Sequence, residues 1–325
     1  MLNSKNSPSV NSKLKAMYSK KLTKEDLEDL MKQQNLKEAI YLLKSKIDSL
    51  DNLRVDAKRL EIEAELDKML ISDILKITKY IHGKNKEIWD MYLKRYELKI
   101  IKVVWNNLLD TENNNLEEKE KNIQIWTNEI FRNLKGIESL NSKEEVLSLI
   151  TDKKAKNILN SDYGIFEREN ALDKLYFEDF LQILKDNNKQ LYNVTQEEID
   201  LNNIVWTYRM AQYKDFDYKT FIINDYKYIS NNLLEKVQEA QNKNELQEIL
   251  KDTHYKNIIK DDIEKDIKRY LYKIYKRIFK AGMLDFSIVI AYFRLLEFKR
   301  ENIIAILEGI RYKLQIQEIE KRIIY

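Results

Sequence analysis

A chain of 325 residues, 43% hydrophobic and 34% charged, is long enough for two or three domains and carries enough apolar side chain to bury a core. Its 5 Gly and 1 Pro exclude a turn-rich β architecture and leave an all-α class, because long helices shun both residues. Lys+Arg 57 against Asp+Glu 54 gives a net charge of +3, a balance that does not argue for a nucleic-acid binder, and Cys 0 removes disulfide and thiol chemistry, fitting a cytosolic protein.

In chain order, MLNSKNSPSVNSKLK has no apolar central region, so no secretory leader is expected there. Thr23-Lys24-Glu25-Asp26 then predicts a helix start: a cap oxygen for a first-turn amide, and an acid at the positive end of the helix dipole. The same plan returns at Ser142-Lys143-Glu144-Glu145 and at Asn242-Lys243-Asn244-Glu245. Behind the caps, Leu27/Leu30/Met31, Val146/Leu149/Ile150 and Leu246/Ile249/Leu250 each place one apolar stripe on one helical face.

A longer amphipathic helix follows each time. Residues 65–77 read ELDKMLISDILKI and residues 171–183 read ALDKLYFEDFLQI, a shift of 106 (172 − 66). The third version carries Ile267, Tyr270, Leu271, Ile274 and Ile278 at helical spacing. Breakers suited to a left-handed helix end come next, at Gly83, Asn187-Asn188 and Gly282. Closing helices are expected at 96–108, 198–210 and 297–310, with Ile100, Asn203 and Asn302 aligned at intervals of 103 (203 − 100) and 99 (302 − 203). The expectation is three related helical domains, 1–115, 116–217 and 218–325, joined at the polar stretches NNNLEEKEKN (113–122) and YKDFDYKT (213–220). The most apolar run, SIVIAYF at 287–293, is far short of the roughly 20 residues of a membrane span.

Residues that carry chemistry are sparse. No Gly is followed five residues later by Gly-Lys-Ser/Thr, so there is no P-loop. His82 and His254 lack a second His or Cys at ligand spacing and read as helix-end and surface residues. Asp67 and Asp73, six apart, fall on different helical faces and read as solvated partners of nearby lysines. The segment EKDIKRYLYKIYKRIFK (264–280) has seven basic residues against Glu264 and Asp266, a net of +5 (7 − 2). It is expected as an amphipathic helix with its aromatic side in the core and its basic side wet. No catalytic, cofactor-binding or metal residue is assigned, no cofactor is expected, and no enzyme is inferred.

The two ends of the chain resemble one family. Ser9-Val10-Asn11-Ser12-Lys13-Leu14-Lys15-Ala16-Met17-Tyr18-Ser19 is similar to the opening Y-V-N-A-R-V-R-A-M-x-S of the C-type subunits of A/V-type rotary ATPases, whose eukaryotic homologues are the d-type subunits. Asn302-Ile303 through Gly309 to Leu314 and Glu318-Ile319 resembles that family's ending, N-[LI]-R-x-I-x-x-G-x-x-x-x-L-x-x-x-E-I. The L-D helix at 171–183 and Asp200-Leu201-Asn202-Asn203 are similar too, while Ser9, Ile304 and Glu308 replace the family's Tyr and two Arg. The resemblance implies a pseudo-threefold funnel of three helical domains. Its partners would be the rotor shaft subunits (D and F type) and the membrane ring of an H⁺- or Na⁺-transporting ATPase. The chain would be a non-catalytic central-stalk part, cytoplasmic and peripheral on the membrane through that complex, with no nucleic acid bound. A cytosolic helical adaptor is the alternative from another class; a helical nucleic-acid binder would rest on residues 264–280 alone.

Overall fold

The computed structural model describes residues 8–109, 116–211, 218–281 and 285–325. Among these residues the architecture is all-α, with no β-strand. The first helices are α1 (Pro8–Tyr18), α2 (Lys24–Met31), α3 (Leu36–Lys46), α4 (Arg59–Thr78) and α5 (Lys84–Leu109). The middle of the chain forms α6 (Leu116–Glu129), α7 (Lys143–Leu149), α8 (Lys153–Leu159), α9 (Ile165–Asn187) and α10 (Lys189–Met210). The last are α11 (Asn231–Glu239), α12 (Lys243–Leu250), α13 (Ile263–Ala281), α14 (Ser287–Arg311) and α15 (Ile316–Glu320).

All three expected caps form. Thr23 Oγ1 accepts from the Asp26 N–H at 3.1 Å, and the Asp26 carboxylate accepts from the Thr23 N–H at 2.8 Å. Ser142 Oγ accepts from the Glu145 N–H at 3.2 Å. Asn242 Oδ1 accepts from the N–H groups of Asn244 and Glu245 at 3.0 and 3.1 Å. These bonds satisfy first-turn amides that have no partner inside the helix. The stripes behind them turn inward: Leu27, Leu30, Met31, Val146, Ile150, Leu246 and Leu250 are buried, while Leu149 and Ile249 are half-buried.

The breakers work differently from one another. Gly83 adopts the left-handed φ of +60° between α4 and α5. Asn188, in contrast, is extended (φ −153°), and its side chain accepts from the Leu191 N–H at 2.9 Å, so it ends α9 and caps α10 in one residue. The expectation of a left-handed end at Asn187-Asn188 is therefore corrected. A single extended cap reverses the chain with no Gly. Gly282 lies outside the described residues, as do 113–115 and 213–217 of the polar junctions, while residues 116–122 of the first belong to α6.

The closing helices start just after these breaks and are longer than expected, with 26, 22 and 25 residues in α5, α10 and α14. Their first turns already bury Ile88 and Trp89, Leu191 and Val194, and Ile288 through Phe293. SIVIAYF is thus the start of α14, buried all round as an interior helix should be. No described helix is long and apolar enough to cross a membrane.

The described chain divides into two compact units, neither of them contiguous in sequence. One gathers residues within 82–102 and 151–274. There α10 packs on α9 and α11, α9 on α8, and α12 on α11, around Leu172, Leu184, Ile199 and Leu234. The other gathers residues within 8–81, 103–150 and 275–325. Its axis is α14, packed against α1, α2, α3, α4 and α15, while α4 also packs on α6. Leu27, Leu30, Leu43, Leu50, Ile306 and Leu307 share that core.

Candidate functional site

The residues aligned in the closing helices do the same work at two places. Asn203 Nδ2–H donates to the Ile223 carbonyl and its Oδ1 accepts from the Ile223 N–H, both at 2.9 Å. Asn302 makes the same pair of bonds with Ile324, both at 2.8 Å. All four residues are buried. A carboxamide offers one donor and one acceptor in the spacing of a peptide, so it completes a buried backbone unit as a neighbouring strand would. Ile100, aligned with them in α5, is buried as an apolar residue.

One turn before Asn203, Asp200 is fully buried. It accepts from the N–H groups of Lys227 and Tyr228, both at 2.8 Å, and from the Tyr255 hydroxyl at 2.6 Å. Burial raises its pKa above the ordinary carboxylate value despite these donors. The Tyr255 hydroxyl is pushed up in turn, by burial first and then by the Asp200 charge. Asp200-Leu201-Asn202-Asn203 therefore pins the segment 223–228, and Tyr255, onto α10.

The duplicated acids need a correction. Asp67 and Asp73 are 9% and 4% exposed, so they are not solvated, although Asp73 does keep one nearby lysine, Lys76, at 3.7 Å. Asp67 accepts from Trp126 Nε1–H at 3.1 Å and from Arg300 Nε at 2.5 Å. Asp73 accepts from the Tyr292 hydroxyl at 2.8 Å and pairs with Lys21 at 2.6 Å. Buried carboxylates of this kind need both charge and hydrogen-bond partners, and here most come from distant parts of the chain. Their counterparts are less buried ion pairs: Asp173 with the half-buried Lys102 at 2.6 Å and Asp179 with the exposed Lys154 at 2.9 Å.

These bonds follow one scheme. Each long helix of the repeated pattern is tied to the closing helix of another stretch: α4 to α14 by Asp67–Arg300, and α9 to α5 by Asp173–Lys102. The third, α13, is tied to α10 by the Tyr270 hydroxyl donating to Glu197 at 3.0 Å and by the Arg209–Glu264 pair. On α13, Ile267, Leu271, Ile274, Tyr275, Ile278 and Phe279 are buried, while Lys273, Arg277 and Lys280 are exposed, the amphipathic division its sequence predicted. His82 is exposed; His254, also exposed, stacks on Tyr228 with ring centroids 3.8 Å apart. Among the described residues no three His, Cys, Asp or Glu side chains gather in a way that could hold a metal ion.

The resemblance motifs at the two chain ends also have structural roles. In α1, Val10, Asn11 and Leu14 are buried, and the Tyr18 ring packs on Phe279 at 4.6 Å between centroids. Gly309 lets α15 approach α14: a methyl group on it would stand 2.6 Å from Ile319 Cγ1. Ile304 joins the apolar core of its unit, and Glu308 pairs with Arg311 at 3.1 Å, so both departures from the family pattern have local partners. The Ser9 side chain lies outside the described residues.

No curated protein matches this chain. A family model does match, that of the ATP synthase (C/AC39) subunit, over residues 10–322. That span takes in the opening helix, the Asp200–Asn203 bracket and the Asn302–Gly309–Ile319 closure, so the chain belongs to the ATP synthase (C/AC39) subunit family.

Proposed function

We propose that this chain is the non-catalytic central-stalk component that couples the rotor shaft of a V/A-type ATPase to its membrane ion-translocating ring. Its partners are then the D- and F-type shaft subunits and the ring, and it sits on the cytoplasmic face of the membrane without spanning it. Family membership supports the rotary-ATPase setting. The observation that carries the coupling role is the set of bonds tying α4 to α14, α9 to α5 and α13 to α10. A part that transmits torque must not yield between its modules. Separating the partly shielded Asp67–Arg300 and Asp173–Lys102 pairs would leave costly orphaned charges. Helices α13 and α10 are held by the Tyr270–Glu197 hydrogen bond and the exposed Arg209–Glu264 pair.

The same scheme supports three related domains, 1–115, 116–217 and 218–325, set as a pseudo-threefold funnel, each lending its closing helix to the long helix of another. Such a funnel built from one module used three times can cap a ring and receive a shaft. The chemistry stays with other subunits, and this chain supplies position and stiffness. The test is to assemble the ATPase without this chain. ATP hydrolysis by the catalytic head should persist while ion transport falls. Loss of all hydrolysis in an otherwise intact head would refute a purely coupling role.

A further inference from the structure

Beneath the packed faces of α4 and α14 lies a cavity of about 50 Å³, floored by apolar side chains including Leu70 and Leu296. Lys21, Asp73, Lys299 and Arg300 supply its charged lining. Two of the three cations are already matched, Lys21 to Asp73 at 2.6 Å and Arg300 to Asp67 at 2.5 Å. Lys299 is not. Among the described residues its ammonium makes no ion pair or hydrogen bond and rests over the Tyr18 ring, 3.9 Å from the centroid. An ammonium half-buried beside other cations is costly to leave unmatched, and the cheapest remedy is a bound anion.

We propose that this cavity binds an anion carrying a short alkyl segment, its phosphate or carboxylate head on Lys299 and its chain among the leucines. The size sets the class. A single water needs roughly 10–15 Å³ of such space, so 50 Å³ takes only a few methylene groups, with the rest of a longer chain left outside, and excludes a nucleotide. Lysine favours such a head as a compact point charge on a flexible stem. The electrostatics agree: burial, then Lys21, lower the Lys299 pKa to about 8, with Lys276 adding to the effect and Asp26 opposing it. Asp73 and Arg300 also face the cavity. An anion on Lys299 would restore its proton. This inference does not depend on the coupling role.

The experiment is calorimetric titration of the whole chain with hexyl phosphate, with hexanol and inorganic phosphate as the separate halves. Hexyl phosphate should bind at least tenfold tighter than either half. Binding should weaken at least tenfold in Lys299→Met, which keeps the stem and removes the charge. At pH 8.5 the wild-type chain should take up protons on binding, detected by comparing buffers of different ionisation heat, a readout that does not rely on the variant folding. Vesicles of phosphatidylcholine with and without phosphatidic acid identify the source. Retention that needs both phosphatidic acid and Lys299 assigns the site to a membrane lipid, and binding of the soluble probe alone assigns it to a free alkyl anion. No binding of hexyl phosphate, equal binding of either half, or equal affinity in a folded Lys299→Met overturns the proposal.

Discussion

Asn203 and Asn302 each satisfy both polar groups of one buried backbone unit, and nothing in either segment replaces them. Truncation by Asn203→Ala or Asn302→Ala leaves an orphaned donor and acceptor, a cost of about 1–3 kcal/mol per site. The expected outcome is a lower urea midpoint for each variant; an unchanged midpoint for both would mean that the brackets carry no load. Asp26 is a different kind of residue, its effect set by charge. The hydrogen bond from Lys46, then that from the Thr23 N–H, hold its carboxyl down to about 2 from an ordinary value of 3.8. Because the folded pKa is depressed, its stabilising contribution is complete above about pH 4 and is lost as the pH falls through about 2. Lys46→Met should therefore shrink the fall in thermal midpoint between pH 4 and pH 2. A fall as steep as that of the wild-type chain would remove Asp26–Lys46 from the acid response.

Among the elements, α15 reports most directly on close packing. Gly309→Ala sets a methyl group 2.6 Å from Cγ1 of Ile319, which is 1% exposed and would have to shift within the core. Overpacking of this kind costs about 1–3 kcal/mol, while the gain in helix propensity returns up to about 1. A net loss of stability is expected. In an Ile319→Ala background the same substitution should become neutral or stabilising, read as a non-additive double-mutant cycle in urea. Additive effects would show that the two residues do not meet. The caps at Thr23, Ser142 and Asn242 and the stripes behind them were legible in the sequence because cap, acid and apolar positions all lie within one or two turns. The matched roles of Asn203 and Asn302 were legible too, as an out-of-place Asn recurring in two closing helices. The burial of Asp67 and Asp73 was not, because Arg300 and Tyr292 lie 233 and 219 residues away and no local pattern marks them. The early starts of α5 and α10 were hidden for another reason: their first turns mix Lys and Asn with the apolar residues, which masks the periodicity.

At the scale of the whole molecule, repetition, family and function converge. The ends of the chain, Asn302 through Ile319 and α1 around Tyr18, carry the family resemblance and also lock α14, the axis of one unit, to its neighbours. Family pattern and folding constraint are thus the same residues. Lys299 stands apart, as the one cation of its cavity that the fold leaves unmatched among the described residues. The central claim, that this chain turns as part of the rotor, is open to one direct measurement. The chain has Cys 0, so a single engineered cysteine can be cross-linked cleanly to a cysteine on a shaft protein in the assembled ATPase. Joining two parts that rotate together should leave ATP-driven ion transport at its uncross-linked rate. Transport that stops on cross-linking to the shaft, and recovers on reduction, would contradict the account.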